Sequence, residues 1–136
     1  MRIMAIDFGD ARVGLAVSDE MQLLTGSAWT LPERNMEHAA DKIVAEAKSR
    51  NVGHFVLGYP KNMDGSLGPR AEKSEQLKAL LEARADIPVT LWDERRTTIA
   101  AHDILHANGR KMKDHRQSVD AVAASLILEG YLGSLK

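Results

Sequence analysis

The chain has 136 residues, 44% of them hydrophobic and 27% charged, with a formal net charge of −1. That is one ordinary domain spanning residues 1–136, long enough to bury a core, and its charge balance excludes a globally basic nucleic-acid binder, so any such surface has to be local. The absence of cysteine excludes a disulfide framework and thiolate metal sites. With no basic-then-apolar leader and no apolar run near the roughly 20 residues that span a bilayer, the expectation is a cytoplasmic protein with no membrane partner.

Residues 3–7 (IMAID) read as an apolar strand, and residues 12–18 (RVGLAVS) as a second at hairpin distance. In the second, Val13, Leu15 and Val17 point one way and Gly14, Ala16 and Ser18 the other. A face of such small residues lets a helix come close. Residues 26–31 make a third strand stopped by Pro32. Asn35 is placed to cap a helix over about 36–50, whose apolar stripe is Ala39, Ile43, Val44 and Ala47. His54 to Gly58 reads as a buried strand, and a turn-rich loop, YPKNMDGSLGP, leads to a helix at about 69–84 with Gly68 and Pro69 at its start. Ile87 to Trp92 is the fifth strand. Two helices follow, at about 97–108 and 118–134. The fold class is α/β: a mixed five-stranded sheet, antiparallel in its first three strands and then parallel, flanked by helices.

Carboxylates fall where elements end or begin. Asp7 closes the first strand, Asp93 and Glu94 close the fifth, and Asp120 opens the last helix. Each has a plain reading: Asp7 as a turn residue, Asp120 as a first-turn carboxylate that satisfies the helix dipole. Gathered at one sheet edge, they would repel one another unless a cation lay between them. Oxygen ligands of this kind suit Mg²⁺ or Mn²⁺, and the chemistry they support is attack of an activated water on a phosphodiester.

Four segments carry a family resemblance: DFGDARVGLAVSD, GYPKNMDGSLGPRAE, DERRTT and VDAVAASLILEGYL, in that order over nearly the whole chain. Together they resemble the YqgF-type pre-16S rRNA nucleases, also called Holliday-junction-resolvase-like, which have a ribonuclease H-like fold. The resemblance implies a metal-dependent nuclease that trims the 5′ end of precursor 16S rRNA, with a pre-ribosomal particle as partner. Its acidic residues match Asp7, the Asp93–Glu94 pair and Asp120. Neighbouring strand residues point to opposite faces, so one member of the pair faces the metal. The reading favours Glu94, with Asp93 hydrogen-bonded behind it. The alternatives are a structure-selective nuclease for branched DNA, which needs a homodimer rather than a monomer, and a nucleic-acid-binding assembly factor with little catalysis.

In the middle loop, Asn62, Asp64, Gly65 and Gly68 build a tight turn whose backbone donors suit a phosphate, while Asp64 also serves as a plain turn-former. Tyr59 reads as a core residue or a base-stacking ring. Between positions 95 and 116 stand Arg95, Arg96, Arg110, Lys111, Lys113 and Arg116, against Asp103 and Asp114. With Arg12, the residues Arg95, Arg110, Lys111 and Lys113 are the candidates for holding a phosphate backbone.

Two patterns mislead. His102 and His106 have the i, i+4 spacing of a zinc helix, but Asp103 stands where such sites place Glu. IDFGDARVG also resembles the phosphate-binding hairpin of the actin and sugar-kinase superfamily. Its ATP cleft lies between two such domains, and this chain has room for one.

Overall fold

Alternation of bulky and small residues along the first two strands divides the protein into two layers about its sheet. The computed structural model describes residues 1–9, 11–22, 25–60, 64, 66–93 and 115–135, with residues 115–120 described for backbone alone. The sequence-predicted helix at 97–108 lies outside the described residues, as do Asn62, Gly65, Glu94, Arg95, Arg96, His102, His106, Arg110, Lys111 and Lys113.

The strands are β1 (Arg2–Phe8), β2 (Arg12–Ser18), β3 (Thr25–Pro32), β4 (Val52–Tyr59) and β5 (Val89–Asp93). They form one sheet in the order β3-β2-β1-β4-β5. β1 pairs antiparallel with β2, and β2 with β3. β4 joins β1 in parallel and β5 joins β4 in parallel, so the sheet is mixed as expected. Pro32 does not stop β3 but closes it, opposite Arg12. A proline is tolerated there because β3 is an edge strand.

Three helices are described: α1 (Met36–Ser49), α2 (Pro69–Arg84) and α3 (His115–Ser134). Asn35 caps α1, its side chain accepting from the His38 N–H at 2.9 Å. The stripe Ala39, Ile43, Val44 and Ala47 is buried, together with Ala40. These pack with Leu77 and Leu81 of α2 on the bulky face, made of Met4, Ile6, Val13, Leu15, Val17, Phe55 and Leu57. The small face is covered by α3: Ala124, Ile127, Leu128 and Leu132 pack on Ile3, Ala5, Ala16, Val56 and Trp92. Ser18, buried on that side, accepts from the Ile3 N–H at 2.9 Å where the β1 register shifts. It thereby satisfies a donor that the strand pairing leaves over.

The last helix begins at His115, three positions earlier than expected, so Asp120 does not open it. Its first turn holds no acidic residue. The helix-dipole role suggested for Asp120 is thereby removed, because that effect is confined to the first turn. Ala123 and Tyr131 of α3 are half-buried.

The far end of α3 is locked by rings. Tyr131 lies 5.6 Å from the His54 ring and 5.8 Å, edge-on, from Trp92, and His54 Nε2 is 2.7 Å from Thr90 Oγ1. Burial holds the His54 imidazole below its ordinary 6.5, so the fold favours the neutral ring. The stabilisation is complete above pH 6.5 and is lost as pH falls from there through the lowered folded value. Thermal unfolding followed against pH should therefore show a decline below that point which His54→Gln flattens; equal declines in both proteins would refute the assignment.

Candidate active site

The C-terminal ends of β1, β4 and β5 share one edge of the sheet, because those strands run parallel. Asp7 lies at that edge, half-buried, with Gly14 directly opposite on β2. It follows Ile3 and Ala5 along the strand and so stands on the α3 face. With no side chain on Gly14, the carboxylate has room on that face. Arg12 shares the face, two residues from Gly14 toward the turn. That makes it a diagonal neighbour of Asp7, with the Cα atoms of such a pair about 7–8 Å apart. The turn itself is closed by Gly9, whose N–H donates to the Arg12 carbonyl at 2.9 Å. A Cβ on Gly9 would meet that same carbonyl oxygen at 2.9 Å, so any side chain there would force the hairpin open.

β5 ends on the same edge, and its pairing decides which way Asp93 points. Leu57 is opposite Leu91, Gly58 opposite Trp92 and Tyr59 opposite Asp93. Trp92 is in the α3 cluster and Leu91 packs on the other. Alternation then puts Asp93 on the α1–α2 face, away from Asp7. Tyr59 is on that face too and only 7% exposed. Burial and the neighbouring Glu75 carboxylate, which is also its hydrogen-bond partner, push the phenol above its ordinary 10.0. It is a packing residue rather than an open stacking ring.

In the middle loop, Asp64 Oδ1 accepts from the Ser66 N–H at 2.9 Å and from the Ser66 hydroxyl at 2.6 Å. This is the plain turn-forming role for Asp64. Behind the loop, the Ser74 hydroxyl donates to the Gly58 carbonyl at 3.1 Å and ties α2 to the end of β4. Asp120 is the sixth residue of α3, one turn before the buried Ala124. Among the described residues no group of three or more His, Cys, Asp or Glu is placed to hold a metal ion. Of the predicted acidic positions, Asp7 and Asp93 are described in full, Asp120 by its backbone, and Glu94 not at all.

Two arginines that the sequence reading did not single out also stand at this edge. Arg34 follows β3, in a segment tied to the hairpin by the Glu33 N–H donating to the Ala11 carbonyl at 3.1 Å. Arg70 is the second residue of α2, which starts after β4. Both are exposed. As single arginines outside any charge run, they leave a weak signal in sequence.

Sheet order and helix placement are those of an α/β protein of ribonuclease H-like fold. The solved structure of Thermus thermophilus RuvC in complex with a Holliday junction substrate superposes with a TM-score of 0.67, covering 100% of this chain and 97% of that chain at 12% identity. The fowlpox virus resolvase bound to Holliday junction DNA gives 0.61, covering 99% of each chain at 14% identity. Both share the fold. The family model RuvX, described as Holliday junction resolvase, matches residues 1–134. A relative from Desulfitobacterium hafniense, named "Putative pre-16S rRNA nuclease", is 41% identical over 100% of this chain and 94% of its own length. The chain belongs to the RuvX family, and with that goes its enzyme class: a nuclease, a hydrolase acting on ester bonds.

Proposed function

We propose that the protein is a divalent-metal-dependent nuclease that processes the 5′ end of precursor 16S rRNA in the cytoplasm, at a site formed by Asp7, Glu94 and Asp120. The observation that carries the proposal is the position of Asp7: half-buried at the end of the central parallel strand, facing α3 across from a glycine. The pairing of β5 puts Asp93 on the face away from Asp7, which supports the reading that favours Glu94 as the second ligand. Asp120 gains support because, as the sixth residue of α3, it no longer has the first-turn helix-dipole role as an alternative.

The donors fit a hard cation. They are carboxylate oxygens in a chain without cysteine, which suits Mg²⁺ or Mn²⁺. When bound, such an ion activates water and stabilises the leaving oxygen of the phosphodiester. Asp7, Glu94 and Asp120 hold it; Arg12, beside Asp7, orients a phosphate; and Asn62, Arg95, Arg110, Lys111 and Lys113 extend the contact along the backbone.

The RuvX description and the resolvase fold favour a second reading, cleavage of branched DNA, which calls for a dimer because symmetric cuts need two sites. One panel separates the readings. Purified protein is incubated with precursor 16S RNA, single-stranded RNA and a four-way DNA junction, with Mn²⁺ or with EDTA. Metal-dependent cleavage of the RNA precursor is the expected result. Junction-only cleavage by a dimer establishes the second reading, and binding without cleavage of any substrate overturns both.

A further inference from the structure

The described arginines divide by how they are held. Arg2 Nη1 donates to the Arg50 carbonyl at 2.9 Å and lies 3.7 Å from Glu20. Arg50 pairs with Glu46 at 2.9 Å and stacks over Trp29 at 4.0 Å. Arg84 pairs with Asp41 at 2.6 Å and donates to the Leu80 carbonyl at 3.1 Å. Arg12 is also engaged. By contrast, the guanidinium groups of Arg34 and Arg70 have no partner among the described residues, and both stand at the edge that carries Asp7.

Nor is the nearest acid available to Arg34. The Glu33 carboxylate is bound to Lys42 at 2.7 Å and accepts from the backbone N–H groups of Arg34 and Asn35 at 3.1 Å each. Glu37 and Glu72, exposed in the first turns of α1 and α2, keep the edge from being a general basic patch. Among the described residues, the edge thus offers two separate guanidinium charges that no neighbouring acid neutralises.

From β3 to β4 the sheet crosses three strand spacings, roughly 14 Å at about 4.8 Å each. That is about four nucleotide steps of a stacked strand at about 3.4 Å per step. Asp7, on the strand between β2 and β4, falls inside the interval.

We infer that Arg34 and Arg70 are phosphate contacts on either side of the cleavage position, so that one strand of the nucleic acid runs across the whole sheet edge from the end of β3 to the start of α2. This rests on the nuclease reading for its cleavage position but not for its contacts. Guanidinium groups by the starts of α1 and α2 would fix the register of a strand that crosses the edge to Asp7 on the α3 side, while Glu37 and Glu72 in the first turns of those helices discourage binding elsewhere along the edge.

The test is equilibrium binding of a labelled single-stranded RNA in EDTA, over a range of salt, to the wild type, to R34Q/R70Q and to R84Q. Each lost contact should reduce the slope of log K against log salt by about 0.7. The double variant is expected to lose about 1.4 in slope and on the order of tenfold in affinity at moderate salt, while R84Q keeps the wild-type slope. An unchanged slope in R34Q/R70Q overturns the inference, as does an equal drop in R84Q. Cleavage in Mn²⁺ is measured on the same proteins. If the double variant loses slope but the wild type cuts nothing, the contacts stand and the nuclease reading fails. If the wild type cuts and the slope does not move, the reverse holds.

Discussion

Asp7→Asn is expected to lower metal-dependent cleavage by on the order of 10³-fold, about 4 kcal/mol of transition-state stabilisation, while leaving the fold intact. Asparagine keeps the size of aspartate and one carbonyl acceptor but gives up the charge. The backbone of residue 7 pairs with Gly14 whatever its side chain, and its half-buried place at the strand end carries little of the core. Stability measurements tell a ligand from a turn residue. With Mn²⁺ at about 100 times its dissociation constant, the wild type should gain about 2.7 kcal/mol, a gain the variant should lack. In EDTA the two should unfold alike, or the variant slightly later if carboxylate repulsion is relieved. A turn aspartate would give the opposite pattern: near-normal cleavage, no metal-dependent difference, and a cost in EDTA. That outcome would remove Asp7 from the site.

The fold was largely written in local signals. Asn35 before an apolar 3.6-residue period, Gly68–Pro69 at a helix start, and a strand with one bulky and one small face each act within a few residues. The start of α3 was not legible, because the charged segment GRKMKDHRQ has no apolar period, and Asp114, a residue type common before a helix, counts in sequence only as one charge among many. Arginine and glutamine are good helix formers, so the helix extends back to His115.

The site was legible as residue types but not as an arrangement. Nothing local says that β4 inserts beside β1, yet that pairing is what brings the ends of β1 and β5 to one edge. Asp93 shows the same limit. Its face depended on whether the strand still ran at position 93, and only the pairing with Tyr59 settles that it does. Arg34 and Arg70 were passed over because an isolated arginine says nothing until its partners, or their absence among the described residues, are known.

The small face of β2 is the feature on which sequence, fold and site depend together, and Ala16→Leu is its test. Ala16 is fully buried. Gly14 lies along the same strand, Ala5 is directly opposite on β1, and α3 presses Ala124, Ile127 and Leu128 into the same cluster. A leucine there has no open volume to enter, so α3 must shift outward or the side chain must leave its preferred rotamer. Overpacking of this kind costs about 1–3 kcal/mol, a fall of several °C in Tm for a domain of this size. Ala28 is Ala16's cross-strand partner on the edge strand, and it is exposed. Ala28→Leu should accordingly move Tm little. Since α3 also carries Asp120, the Ala16 variant should lose cleavage beyond its unfolded fraction when assayed well below its Tm, and Ala28→Leu should not. Equal Tm losses in the two variants would mean that close approach of α3 is not what the small residues provide. A destabilised Ala16→Leu with full activity would separate the packing of α3 from the placement of Asp120.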